Sequence, residues 1–100
     1  MKINVQGDTL RVSGVKELSA ANSSAFRDWV RGNIGAELKN IEIDLSEAGF
    51  IDSSGLGALV SLHRTASGRK GNLKLINPLP PVQQILELTR MHRIFEIMKA

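Results

Sequence analysis

A pair of serines next to an aspartate is the segment of this sequence best suited to chemistry. Residues 52–57 read Asp-Ser-Ser-Gly-Leu-Gly, where an apolar strand pattern gives way to a helical pattern beginning at Leu56. Backbone N–H groups at a helix start lack an intrahelical acceptor and carry partial positive charge, so a phosphate on either serine would be tolerated. The same hydroxyls also suit plain helix capping, which is the simpler role.

Ser54 lacks the surroundings of a catalytic nucleophile. The nucleophile elbow of hydrolases has glycine two residues before and two residues after the serine, where this chain has Asp52 and Leu56. On a regular helix, His63 would lie about 13 Å further along, whereas a general base must lie within roughly 3 Å. His92 is interpreted as an exposed residue near a helix end. We therefore predict no catalytic residue and no enzyme activity.

The glycines at positions 55 and 57 complete neither nucleotide-binding fingerprint. A dinucleotide site needs a third glycine at position 60, which is Val60, and the sequence contains no Gly-Lys followed by Ser or Thr. The glycines instead favour a tight turn that leaves the serine hydroxyls uncovered. Asp44, Glu47 and Asp52 do not have the spacing of metal ligands and are interpreted as solvated or capping groups. We expect no cofactor and no metal.

The composition is typical of a small cytoplasmic domain. One hundred residues fit a single domain over residues 1–100, and the absence of cysteine excludes disulfides and thiolate metal sites. The 13 Lys and Arg residues exceed the 10 Asp and Glu residues only slightly, and no aromatic residues are interleaved among them to stack bases. No stretch resembles a secretory signal or a membrane span. We expect a cytoplasmic location, no membrane insertion and no direct nucleic-acid binding.

Hydrophobic periodicity predicts strands that alternate with helices. The first two strands form a hairpin around Gly7-Asp8, in which Val5 faces Leu10 and Ile3 faces Val12. The fold class is α/β, a single domain with a mixed sheet of four to five strands, an N-terminal hairpin and helices mainly on one face. The later elements are a helix capped by Ser19, a strand over 41–45 that continues through Phe50 and Ile51, a helix over Leu56 to Ala66, a strand over 73–76, a helix opened by prolines at 80 and 81, and a short closing strand formed by Ile94, Phe95 and Ile97.

Three stretches of the sequence resemble the STAS family, whose name abbreviates sulfate transporter and anti-sigma factor antagonist. They are Ile-Glu-Ile-Asp-Leu at 41–45, Phe-Ile-Asp-Ser-Ser-Gly-Leu-Gly at 50–57 and Leu-Lys-Leu-Ile-Asn at 73–77. The resemblance covers essentially the whole chain and is weakest over residues 1–38. Near the end of the third helix the family often has Gly-Leu, where this chain has Arg90-Met91.

The resemblance implies a bacterial partner-switching regulator, an anti-sigma factor antagonist. In such a system the unphosphorylated domain binds an anti-sigma factor that is also a serine kinase, which frees a sigma factor for transcription. Phosphorylation by that kinase releases the domain, and a serine phosphatase restores it. The phosphorylated residue of the family motif corresponds to Ser54, and ATP and magnesium belong to the kinase. The implied partner-binding residues are Asp52, Ser53, Ser54, Gly55, Leu56 and Gly57.

Two other kinds of function fit the same residues. Related domains also serve as scaffold subunits of transporters or stress-signalling assemblies, in which the serines would only cap the helix. A binder of small molecules or nucleotides could use the helix N-terminus to hold an anion. The intact serine pair favours the switching regulator over the scaffold subunit.

Overall fold

The structure is a computed structural model that describes residues 1–99. Five strands form the main sheet in the order β1-β2-β4-β6-β7, and two short strands, β3 and β5, pair separately. The β1–β2 pair is antiparallel and the remaining pairs are parallel, which confirms the mixed α/β fold. The elements are β1 (Lys2–Gln6), β2 (Thr9–Ser13), β3 (Glu17–Leu18), α1 (Ser23–Asn33), β4 (Asn40–Asp44), β5 (Phe50–Ile51), α2 (Ser53–Gly68), β6 (Leu73–Ile76), α3 (Pro80–Leu88), a short 3₁₀ helix (Met91–Arg93) and β7 (Glu96–Met98).

The N-terminal hairpin has the register that the sequence predicts. Val5 pairs with Leu10 and Ile3 pairs with Val12 across the two strands. Gly7 adopts a positive φ of 59°, which a two-residue hairpin turn requires and glycine allows without a steric penalty. The hairpin therefore presents its apolar side chains on one face of the sheet.

The core lies between that face of the sheet and the helices. Alternate residues of β2, β4 and β6 are fully buried, as the two-residue period of a strand requires. On the opposite face the alternate positions carry charge, and Arg11 bonds Glu42 at 3.2 Å and Asp44 at 3.4 Å. The main buried residues from the strands and helices are Leu10, Val12, Ile41, Ile43, Leu73, Leu75, Phe26, Val30, Leu59 and Leu62.

Two predicted helix starts are wrong. Helix α2 begins at Ser53 instead of Leu56, because Asp52 caps it. Helix α1 has Asn22 as its N-cap residue instead of Ser19. The Ser19 carbonyl accepts the Asn22 N–H at 3.1 Å and the Ser23 N–H at 2.8 Å, so Ser19 forms the turn that precedes the helix.

Two strand assignments also need correction. Phe50 and Ile51 do not continue β4 but form β5, which pairs in parallel with β3, a strand that the sequence did not reveal. The closing strand is Glu96–Met98, so Ile94 and Phe95 lie outside it. The Phe95 N–H instead donates to the Met91 carbonyl at 3.1 Å, at the end of the 3₁₀ helix. The two-residue strands carry too little periodic sequence to be recognised.

Candidate functional site

Asp52 is the residue that begins helix α2. Its carboxylate oxygen Oδ1 accepts the Gly55 N–H at 3.0 Å, and its backbone carbonyl accepts the Leu56 N–H at 2.9 Å. Asp52 is therefore the N-cap residue, a position that aspartate favours. The capping role considered for the serines is wrong, because both serines lie inside the first turn of the helix.

The second carboxylate oxygen of Asp52 binds a distant part of the chain. Oδ2 accepts the Ala20 N–H at 3.0 Å, and the Asp52 N–H donates to the Leu18 carbonyl at 3.1 Å. The N–H of Gly55, and after it that of Ala20, hold the pKa of Asp52 below its ordinary value, because both favour the ionised form. The ionised carboxylate thus joins the segment after β3 to the start of α2.

Ser53 and Ser54 are the first two residues of α2, and both are exposed. Over residues 1–99, neither hydroxyl has a hydrogen-bond partner. Ser54 lines a shallow surface groove of about 360 Å³ between α1 and α2. The other residues of this interhelical groove include Ser23, Ser24 and Arg27 from α1 and Gly57 and Ala58 from α2.

The three residues that follow the serines have different environments. Gly55 is buried, and a Cβ atom there would lie 2.2 Å from the carbonyl oxygen of Leu18 and 2.8 Å from its Cβ. Leu56 is also buried, with 7 % of its surface exposed, and it belongs to the core. Gly57 is exposed, with open space where a side chain would be. Of the three implied partner-binding residues at 55–57, only Gly57 is exposed, and the buried Gly55 and Leu56 set the position of the helix.

The interhelical groove is bordered by positive groups and, at Ala20, by the ionised carboxylate of Asp52. The first turns of α1 and α2 border it, neither contains an acidic residue, and helix N-termini carry partial positive charge. The guanidinium of Arg27 also lines the groove, with its Nε 3.1 Å from Oδ1 of Asp28. A second arginine of α1, Arg31, donates to the Ser61 hydroxyl and so joins the two helices further along. The Arg27 guanidinium therefore lines the same groove as the Ser54 side chain.

The two histidines lie in settings unrelated to the serines. The His63 ring packs edge-on against Phe95, with ring centroids 5.9 Å apart. The Nδ1 atom of His92 lies 3.4 Å from the Leu86 carbonyl oxygen. No group of three or more His, Cys, Asp or Glu residues in positions 1–99 has the arrangement of a metal site. The prediction that the chain has no catalytic function stays a prediction.

The groove residues of α1 and the β3 segment were not predicted as part of the site. Ser23, Ser24 and Arg27 lie about thirty positions before Ser54 and carry no motif of their own. Ala20 and Leu18 contact Asp52 through a backbone N–H and a backbone carbonyl. Their side-chain types therefore give no sequence signal of this role. The weak capping signal at Ser19 was the nearest hint of a turn in this segment.

None of the helices in the described part of the chain is both long enough and apolar enough to span a bilayer.

Residues 1–100 match the family model of the STAS domain. The chain belongs to the STAS family. A protein of Thermotoga maritima named "Putative anti-sigma factor antagonist" is 32 % identical over 83 residues, which are 82 % of this chain and 74 % of that protein. The family assignment agrees with the position of the Asp-Ser-Ser-Gly-Leu-Gly motif at a strand-to-helix junction.

Several solved structures share this fold. The crystal structure of a Thermotoga maritima protein described as a "putative anti-sigma factor antagonist" has a TM-score of 0.87 to this chain. The two sequences are 27 % identical, and the match covers 99 % of this chain and 86 % of that one. The anti-sigma factor antagonist SpoIIAA in its unphosphorylated form has a TM-score of 0.84 and 22 % identity, and the match covers 99 % of this chain and 86 % of SpoIIAA. The murine anion transporter Slc26a9 has a TM-score of 0.82 and 20 % identity, covering 97 % of this chain and 17 % of the transporter. The last two likenesses show the fold alone.

Alanine at positions 55 and 57 should have opposite effects on stability. Gly55→Ala should lower the free energy of unfolding by about 1–3 kcal/mol, because its Cβ would collide with Leu18. Gly57→Ala is the matched control and should raise the free energy of unfolding by about 0.5–1 kcal/mol, because alanine favours a helix and meets no atom there. Urea unfolding measures both, and equal effects would contradict the close approach at Gly55.

Asp52→Asn should destabilise the fold at neutral pH and much less in acid. The amide keeps one acceptor oxygen but cannot accept both the Gly55 and the Ala20 N–H. Because the folded-state pKa of Asp52 is lowered, its carboxylate contributes fully above the ordinary pKa of about 3.9 and loses this contribution as the pH falls through the lowered value. Urea unfolding of both proteins from about pH 7 down to about pH 2 should show the stability difference shrinking. A difference independent of pH would rule out the carboxylate charge as its cause.

Proposed function

We propose that this chain is an anti-sigma factor antagonist whose binding is switched by phosphorylation of Ser54. Unphosphorylated, it binds an anti-sigma factor that is also a serine kinase, and a sigma factor becomes available for transcription. Phosphorylation releases the chain, and a serine phosphatase returns it to the binding state. The observation that carries the proposal is the exposed Ser54 hydroxyl in the first turn of a helix that Asp52 caps.

Access to the Ser54 hydroxyl supports modification by another enzyme. The hydroxyl is exposed, borders the open interhelical groove, and has no hydrogen-bond partner within residues 1–99. Because Asp52 supplies the cap, a phosphate on Ser54 removes no interaction that holds the helix. The domain can therefore be phosphorylated without losing a structural contact.

The charge around Ser54 supports a switch that acts by repulsion and not by unfolding. A phosphoserine carries about −1.5 to −2 charges at neutral pH. Arg27 lines the same groove and offsets part of this charge within the domain, whereas the ionised Asp52 carboxylate already takes up the first-turn N–H of Gly55. A partner that covers the groove would have to desolvate the phosphate, which is costly unless the partner supplies a cation. The fold tolerates the phosphate while the complex does not.

The residues available to the partner form a compact surface. Ser53, Ser54 and Gly57 are exposed on α2, and Ser24 and Arg27 lie across the groove on α1. Three further residues hold this surface in position. Gly55 allows α2 to approach Leu18, Leu56 packs in the core, and Asp52 caps the helix. We propose that the anti-sigma factor contacts both helices, with Ser54 inside the covered area.

Substitutions of Ser54 test its phosphorylation and its effect on partner binding separately. After incubation with a candidate serine kinase and ATP, peptide mass analysis should find one phosphate at Ser54, none in Ser54→Ala, and an unchanged amount in Ser53→Ala, the matched control. Ser54→Ala should keep partner binding and change the free energy of unfolding by no more than about 0.5 kcal/mol, because Ser54 is not the cap. Ser54→Asp should weaken binding by at least about tenfold, or about 1.4 kcal/mol.

Ser54→Asp should keep the fold intact, since an acidic residue in the first turn of a helix is favourable by about 0.3–1 kcal/mol. Full-strength partner binding by this variant, together with no phosphate on the unmodified chain, would contradict the switch. That outcome would favour the scaffold role in a transporter or stress-signalling assembly. A neighbouring gene for an integral membrane protein, in place of a kinase or phosphatase, would support the same conclusion.

A further inference from the structure

Within residues 1–99, strand β1 forms one edge of the main sheet and is hydrogen-bonded only to β2. In a two-residue hairpin the residues flanking the turn, Gln6 and Thr9, form a hydrogen-bonded pair, and such pairs alternate along the ladder. Asn4 and Lys2 therefore also bond β2. The backbone N–H and C=O groups of Ile3 and Val5 point away from β2, and they have no other partner within residues 1–99.

This edge has few of the features that usually prevent strand pairing. It contains no proline, its five-residue register with β2 is uninterrupted by a bulge, and Lys2 at its start is its one charged residue. The Val5 side chain, at the turn end of the strand, is 56 % exposed. The opposite edge, β7, is only three residues long. The edge at β1 is thus the one that offers a regular row of donors and acceptors.

We infer that β1 pairs antiparallel with β1 of a second copy of this chain, about a twofold axis at Asn4. In this register Ile3 lies opposite Val5 of the other copy, and the outward groups of these residues form four backbone hydrogen bonds. All five residues of both strands are paired. The two sheets join into one sheet of ten strands, and a twofold contact of this kind closes without forming a filament.

The side chains of β1 are complementary in the same register. On the helix side of the sheet, Ile3 packs against Val5 of the other copy and covers its exposed surface. On the open side, the two Asn4 amides meet at the axis, where each can donate to the other. Lys2 lies opposite Gln6, so no like charges face each other.

The charges next to the axis also permit the contact. Arg11, the β2 neighbour of Asn4, is paired within its own sheet to Glu42 and Asp44. The two Arg11 residues would be three strand spacings apart, about 14 Å, which exceeds the screening length at physiological salt. Sliding one strand by two residues would keep the outward groups aligned but leave two residues of each strand without a partner.

Cysteine cross-linking tests both the contact and its register, because the chain contains no native cysteine. The two Asn4 residues form a non-hydrogen-bonded pair with Cα atoms about 4.5 Å apart, within the disulfide range of about 4.4–6.8 Å. Asn4→Cys should therefore oxidise to a covalent dimer that runs at twice the mass of the chain on a non-reducing gel. The matched control is Gln6→Cys on the same face, whose copies would lie about 14 Å apart and should stay monomeric. Mixing Lys2→Cys with Gln6→Cys should cross-link the two different chains.

Sedimentation of the full chain provides the second measurement. The unmodified protein should show a concentration-dependent shift to twice the monomer mass, and Val5→Pro should abolish it. Proline removes only an outward N–H at this position, so circular dichroism should show the fold retained. If that variant does not fold, Val5→Lys serves instead, because an edge lysine blocks pairing while keeping the β2 ladder. A purely monomeric protein, no cross-link in Asn4→Cys, or equal cross-linking in Gln6→Cys would overturn the inference. None of these outcomes depends on Ser54.

Discussion

The ionised carboxylate of Asp52 is the contact on which the geometry of the site depends. Its two oxygens accept N–H groups from Gly55 and from Ala20, so a single side chain caps α2 and fixes the segment that leads into α1. The backbone N–H of Asp52 adds a bond to Leu18. The first turns of the two helices consequently border one groove. Core packing and the Arg31–Ser61 hydrogen bond hold the two helices together further along, and the Asp52 carboxylate fixes the segment before α1 against the start of α2.

The close approach of Gly55 to the Leu18 backbone also fixes the position of the first turn of α2. Helix α2 lies so near to β3 that no side chain larger than hydrogen fits between Gly55 and the Leu18 carbonyl. Leu56 then enters the core and orients the first turn, which leaves the two serines on the outer surface. The STAS motif therefore divides into buried residues, Gly55 and Leu56, that position the helix and exposed residues, Ser53, Ser54 and Gly57, on its outer surface.

Much of the fold follows from the periodicity of the sequence. The hairpin register was predictable because a Gly-Asp turn between two alternating strands leaves one pairing that places Ile3, Val5, Leu10 and Val12 on one face. The strand at 73–76 was predictable from its apolar run before a proline-rich turn. The pairing of Phe50–Ile51 with Glu17–Leu18 was not, because it joins two-residue segments whose paired residues are 33 positions apart. Local patterns do not record which distant backbone groups meet.

The sequence by itself determined the family, the order of the main elements and the presence of two serines at a helix start, because these depend on residue type and local spacing. Only the tertiary structure decided that Asp52, and not a serine, is the cap, and that Arg27 lines the groove beside Ser54. The physical reason is that a cap and a groove depend on where backbone N–H groups and side chains of separate segments point. That direction is fixed only when β3, α1 and α2 pack together.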